Sequence, residues 1–189
     1  MKAKYTFILL ACMAAATSLS AHSRAIKPEF VDMLLTEYFS VQKALADDNL
    51  GDAKKSAGMF KSMLGHGPSF DDAPSLLDLQ DHSEGIAAAG DIKTARNHFL
   101  TLSEDLAEMV EHVGTSGSQD VFQMNCPMAF EGKGGDWLQN SKDLTNPYYG
   151  SMMFKCGSVK SQLAKNKGGD SSGHSHSGHK EQDHSKHQH

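Results

Sequence analysis

"DIKTARNHFLTLSEDLAEMVEHVG", from Asp91 to Gly114, decides the fold class. Ile92, Ala95, Phe99, Leu102, Leu106, Met109 and Val113 recur in alternating steps of three and four, which lays them in one apolar stripe along a helix. Asp91 suits the N-cap and Gly114 the stop. Such a stripe has to be buried against other apolar helix faces.

The sequence before it supplies them. From Pro28 to about Asp48, Val31, Leu34, Leu35, Tyr38, Val41 and Leu45 keep helical spacing, with Pro28 in the first turn. A second amphipathic stretch starts near Leu50, aligns Ala53, Ala57, Phe60 and Leu64, and stops at Gly65, Gly67 and Pro68. A third, from about Pro74 to Ala89, carries Leu76, Leu79 and Ile86 but is weakened by Gly85. Four helices with short connections predict a mainly α chain built as an up-and-down four-helix bundle. No repeat of solenoid period is present.

After Gly114 the period changes. "DVFQMNCPMAF" predicts a short strand interrupted at Pro127, and "DWLQ" a partner across the turn at Gly132 to Gly135. A segment of this size has too little core of its own, so a small irregular or β cap should pack on the bundle and be fixed by a crosslink or a metal. From Ser158 onward there is almost nothing to bury, and a disordered His-rich tail is expected over residues 158–189.

At the other end, Lys2 and Lys4 precede an apolar run that closes in small residues near Ala21, the anatomy of a secretory signal peptide over residues 1–21. "LLAC", Leu9 to Cys12, keeps a lipid-anchored alternative open at Cys12. No later segment reaches the roughly eighteen apolar residues of a spanning helix, so no transmembrane segment is expected. Periplasmic or secreted localisation follows, with one domain over residues 27–157. Loss of Lys2 and Lys4 takes the net charge from −5 to about −7, which disfavours nucleic acid as a partner.

The chemistry lies in sulfur and imidazole. No G-x-S-x-G, H-E-x-x-H or P-loop pattern occurs, so an enzyme is not expected. His98 and His112 stand about 21 Å apart on one helix and share no ion. They, His66 and His82 take structural or surface roles. In the tail, His174, His176, His179, His184, His187 and His189 form a flexible set suited to weak capture of Zn, Ni or Cu(II). Cys126 and Met128 flank Pro127, and Met153 precedes Cys156 by three residues, so thiolate and thioether donors that select Cu(I) or Ag(I) occur at both ends of the cap. Met124 and Met152 stand in reserve. Spacing alone does not say whether Cys126 and Cys156 meet, and the export compartment equally permits a disulfide between them, worth roughly 3–4 kcal/mol for a loop of about thirty residues.

The order "CPMAF", "GGDWL", "NPYYG", "MFKCG", with "YFSVQKALADDN" and "DIKTARNHFLTLSEDL" upstream, resembles a domain of otherwise unknown function found alone in secreted bacterial proteins and appended to periplasmic adaptor subunits of copper and silver efflux pumps. The resemblance runs from about Phe30 to Gly157. It implies a helical domain associated with copper or silver in the cell envelope, with a heavy-metal efflux complex as partner. The matching positions are Cys126, Pro127, Met128, Trp137, Asn146, Pro147, Tyr148, Gly150, Met153, Cys156 and Gly157, of which only the sulfur-bearing ones can ligate a soft metal. The chain is too short to hold an adaptor's membrane-fusion and hairpin portions. Two functions are therefore expected to compete: an exported protein that sequesters or delivers copper or silver, and a disulfide-stapled helical interaction module associated with an efflux or envelope complex, with no metal of its own.

Overall fold

Residues 25–169 are described by a computed structural model. The chain is mainly helical, with a small three-stranded antiparallel sheet. Four helices come first: α1 (Pro28–Ala46), α2 (Leu50–Leu64), α3 (Ser75–Ala88) and α4 (Ile92–Val113). Each packs on the next, and α1 also meets α4. The expected caps are in place: Pro28 opens α1, and the Asp91 carboxylate accepts from the Thr94 N–H at 2.8 Å to start α4. The expected stripes are the buried ones, among them Leu34, Tyr38, Ala57, Phe60, Leu79, Ile86, Phe99, Leu102 and Leu106, all fully inaccessible.

The sheet follows in the order β2-β1-β3, with β1 (Val121–Cys126), β2 (Gly135–Gln139) and β3 (Ser158–Ala164). Phe122, Met124 and Cys126 alternate onto the buried face of β1. Met124 pairs with Trp137 and Cys126 with Gly135 across the β1–β2 ladder. The connection turns through Phe130 and Glu131, both in the left-handed region at φ 51° and 61°.

β3 corrects the expectation that order ends before Ser158. It pairs antiparallel with β1, setting Phe122 beside Gln162 and Asn125 beside Ser158. Its side chains are mostly exposed, so backbone pairing rather than a buried face holds it, and the hydropathy pattern carries no trace of that. The cap therefore extends to Ala164.

Two contacts tie the cap to the bundle. Tyr38 of α1 is fully buried, stacked on Phe99 with ring centroids 5.0 Å apart. Its hydroxyl accepts from the Leu138 N–H on the free edge of β2 at 3.0 Å and shares a 2.7 Å hydrogen bond with Ser103, whose Oγ donates to the Phe99 carbonyl at 2.6 Å. Burial holds that hydroxyl protonated well above the ordinary tyrosine range. The second contact is Asp48, in the turn between α1 and α2. Its carboxylate accepts from the Ser151 N–H at 2.8 Å, from the Ser151 hydroxyl at 2.6 Å and from Arg96 at 2.7 Å. Arg96 in turn donates to the carbonyls of Leu45 and Pro147. Gly150, in the short 3₁₀ turn Gly150–Met152, has φ +58°, and a Cβ there would lie 2.0 Å from the Asp48 carboxylate.

Replacing Tyr38 by Phe should destabilise the protein by about 1–3 kcal/mol, because it strands the edge N–H of Leu138 in the core. Urea unfolding measures this, and an unchanged midpoint would contradict the assignment.

The Ser151 hydrogen bonds and Arg96 lower the Asp48 pKa from 3.8 to about 2. A depressed carboxylate stabilises the fold above its unfolded pKa and loses that contribution as pH falls through the folded value. Asp48→Asn should therefore be less stable than the parent at neutral pH, and the gap should close between about pH 4 and pH 2. Thermal melts across that range test it, and a gap independent of pH would count against the clasp.

Candidate functional site

The cap brings the two cysteines together. Cys126 is the last residue of β1 and is buried; Cys156 lies just before β3, half-buried, and their Sγ atoms are 3.3 Å apart. Both are free thiols. Two thiolates on one tetrahedral ion, at about 2.3 Å each, stand roughly 3.8 Å apart, and a disulfide needs about 2.05 Å. The pair would open by about half an ångström for a metal and close by more than an ångström for a bond, so it is near both.

The elements around the pair explain its position. Asn146 is fully buried, and its side chain works in both directions: Nδ2 donates to the Cys156 carbonyl at 2.8 Å, while Oδ1 accepts from the N–H groups of Tyr148 and Tyr149 at 2.8 and 3.2 Å. Its own N–H donates to the Phe154 carbonyl at 2.8 Å. One asparagine thus closes the loop that returns Cys156 to β1. Gly157, at φ +130°, lets the chain leave Cys156 against the sheet, since a Cβ there would meet the Asn125 carbonyl oxygen at 2.6 Å and Trp137 at 3.2 Å. Below the pair, Tyr148 packs edge-on against Trp137 at 5.7 Å and against Phe130 at 5.0 Å, and its hydroxyl donates to the Asp136 carbonyl. Cys126 is fully inaccessible, and Cys156 is half-buried.

Among the described residues, no cation is among the groups that shift the Cys156 thiol. Its hydrogen bond to the Cys126 sulfur, with burial and the Cys126 charge as smaller effects, raises the Cys156 pKa above the ordinary thiol value. A metal would have to displace protons to bind here, which makes its affinity depend on pH.

The methionines divide. Met153 lies in the same turn as Cys156, whose N–H donates to its carbonyl at 2.9 Å, and it is half-buried. Met128 is 54% exposed and Met152 82% exposed. Met124 is fully buried on the Cys126 face of β1, two residues away. Among the described residues, no group of three or more His, Cys, Asp or Glu side chains is arranged, as it stands, to hold an ion. His174, His176, His179, His184, His187 and His189, together with the signal-peptide and Cys12 readings, lie outside the described residues.

The helix histidines are not all solitary. His82 on α3 and His98 on α4 have ring centroids 6.4 Å apart, and His82 Nε2 lies 3.4 Å from Asp105 Oδ2 on α4. Spacing along a single helix cannot reveal a group shared between two. The only signal available was Gly85 inside the α3 pattern, since a Cβ there would lie 2.4 Å from the His98 ring.

No helix among the described residues is long and apolar enough to cross a membrane. No curated protein and no solved structure matches the chain. Residues 34–118 match the model of a family described as "Protein of unknown function (DUF3347)", a span that takes in most of α1 and all of α2 to α4 and stops short of both cysteines.

Proposed function

We propose that this is an exported heavy-metal-binding protein that sequesters or delivers Cu(I) or Ag(I) in the cell envelope, with the metal as cargo at Cys126 and Cys156. The observation that carries the reading is the 3.3 Å approach of two free thiols in a cap whose loop closes on them through Asn146. Soft thiolates select monovalent copper and silver, and Met153, with Met124 or Met128, adds neutral thioether donors. In this reading the full burial of Cys126 shields the ion on one side, and the half-buried Cys156 offers an entry and exit route for transfer. The signal-peptide pattern of residues 1–21 and the resemblance of the cap's motifs to domains joined to copper and silver efflux adaptors support the envelope setting. In this reading the tail histidines gather Zn, Ni or Cu(II) weakly, and a heavy-metal efflux complex receives the cargo. The chain binds; it does not catalyse.

The same 3.3 Å approach also favours a second reading, in which oxidation joins Cys126 to Cys156 and the protein is a stapled interaction module without a metal. The two exclude each other within one molecule, because a sulfur in a disulfide is no longer a thiolate ligand.

Competition with a Cu(I) chelator under reducing conditions separates them. The reduced protein should withdraw about one Cu(I), Cys126→Ser or Cys156→Ser should abolish most of that affinity, and Met153→Leu should weaken it less while conserving side-chain volume. If neither the parent nor the variants withdraw copper, the stapled module is the better account.

A further inference from the structure

We propose that His82, His98 and Asp105, on the facing sides of α3 and α4, form a second and separate site for a divalent transition ion of intermediate softness, of the Zn(II) class. The site shares no residue with the cysteine pair and does not depend on it.

The His82 Nε2 to Asp105 Oδ2 distance is 3.4 Å. That is longer than the roughly 2.7–3.2 Å of a sound N–H···O hydrogen bond. It equals the spacing of two donor atoms on one tetrahedral ion at about 2.0–2.1 Å each, roughly 3.4 Å. Asp105 Oδ2 is itself buried and has no hydrogen-bond partner. A buried carboxylate oxygen without a partner is costly, and an ion bridging it to the imidazole would remove that cost.

The third donor stands close. The His98 ring lies against the backbone of α3 at Gly85, where any side chain would displace it. Its centroid is 6.4 Å from that of His82, whereas two imidazoles on one tetrahedral ion bring their centroids to roughly 5 Å. The rings must therefore close by about 1.4 Å, a side-chain adjustment between α3 and α4, and until they do the three donors do not converge. The surroundings favour a cation. Burial, the largest effect, raises the Asp105 pKa; the charge of His82 opposes it, and the like charges of Asp78, Glu104 and Glu108 add to it. Imidazole and carboxylate donors suit Zn(II) and not the Cu(I) that thiolate and thioether select.

The test uses Zn(II) alone on the full chain with His174, His176, His179, His184, His187 and His189 changed to Asn, so that the tail is silent. In NMR titration the imidazole resonances of His82 and His98 should shift together and saturate at one equivalent. By calorimetry, His82→Asn and Asp105→Asn should each lower affinity at this site by more than the roughly 10–100-fold that loss of an outer-sphere partner costs, and should leave Zn(II) binding elsewhere unchanged. If His82 and His98 do not move at saturating Zn(II), the proposal is overturned. The same holds if their shifts survive Asp105→Asn intact. Because the parent's resonances are read directly, a variant that fails to fold does not remove the test.

Discussion

The run of stacked and edge-on rings from Tyr38 through Phe99 and Tyr148 to Trp137 is the constraint on which the rest depends. The cap has three short strands, a left-handed turn and a long loop, and strands of this length do not make an independent fold. It acquires a core only by sharing one with α1 and α4. Tyr38 contributes twice, through ring contact and through the hydroxyl that satisfies the free edge of β2. Once that face is docked, Asn146 can close its loop and the two thiols come to rest beside each other. The position of the cysteine pair is thus a consequence of bundle packing some distance away.

The arrangement keeps unlike chemistries apart. The sulfurs meet where β1 ends, at the place proposed for a soft, monovalent cargo. The imidazoles and the Asp105 carboxylate sit in the groove between α3 and α4 among acidic side chains, a setting suited to a harder divalent ion. Neither set of donors can substitute for the other without losing the preference of its ligands.

The helices were legible because their burial is one-sided and periodic: each apolar stripe read from the sequence is a buried face, and Asp91 and Pro28 mark starts that the structure keeps. β1 was legible for the same reason at the shorter period, and β2, buried at four of its five positions, as its partner across the glycine turn. β3 was not, because Ser158–Ala164 exposes most of its side chains and is held by backbone hydrogen bonds that any residue but proline can make. At the site, the residue types were visible but their meeting was not. That Cys156 returns to Cys126 depends on Asn146, Gly157 and the Asp48 clasp, contacts between residues up to a hundred positions apart. The meeting of His82 with His98 and Asp105 was not legible because His82 lies on α3 and the other two on α4, and only the packing of α3 on α4 sets them together.

The central claim is that Cys126 and Cys156 are a working thiol pair that carries a soft metal. Protein isolated without oxygen from its own compartment and subjected to thiol titration together with metal analysis tests this most directly. The account predicts two cysteine thiols per mature chain, masked until a copper chelator is added, and about one copper or silver ion per chain. No titratable thiol, and no metal, would contradict it.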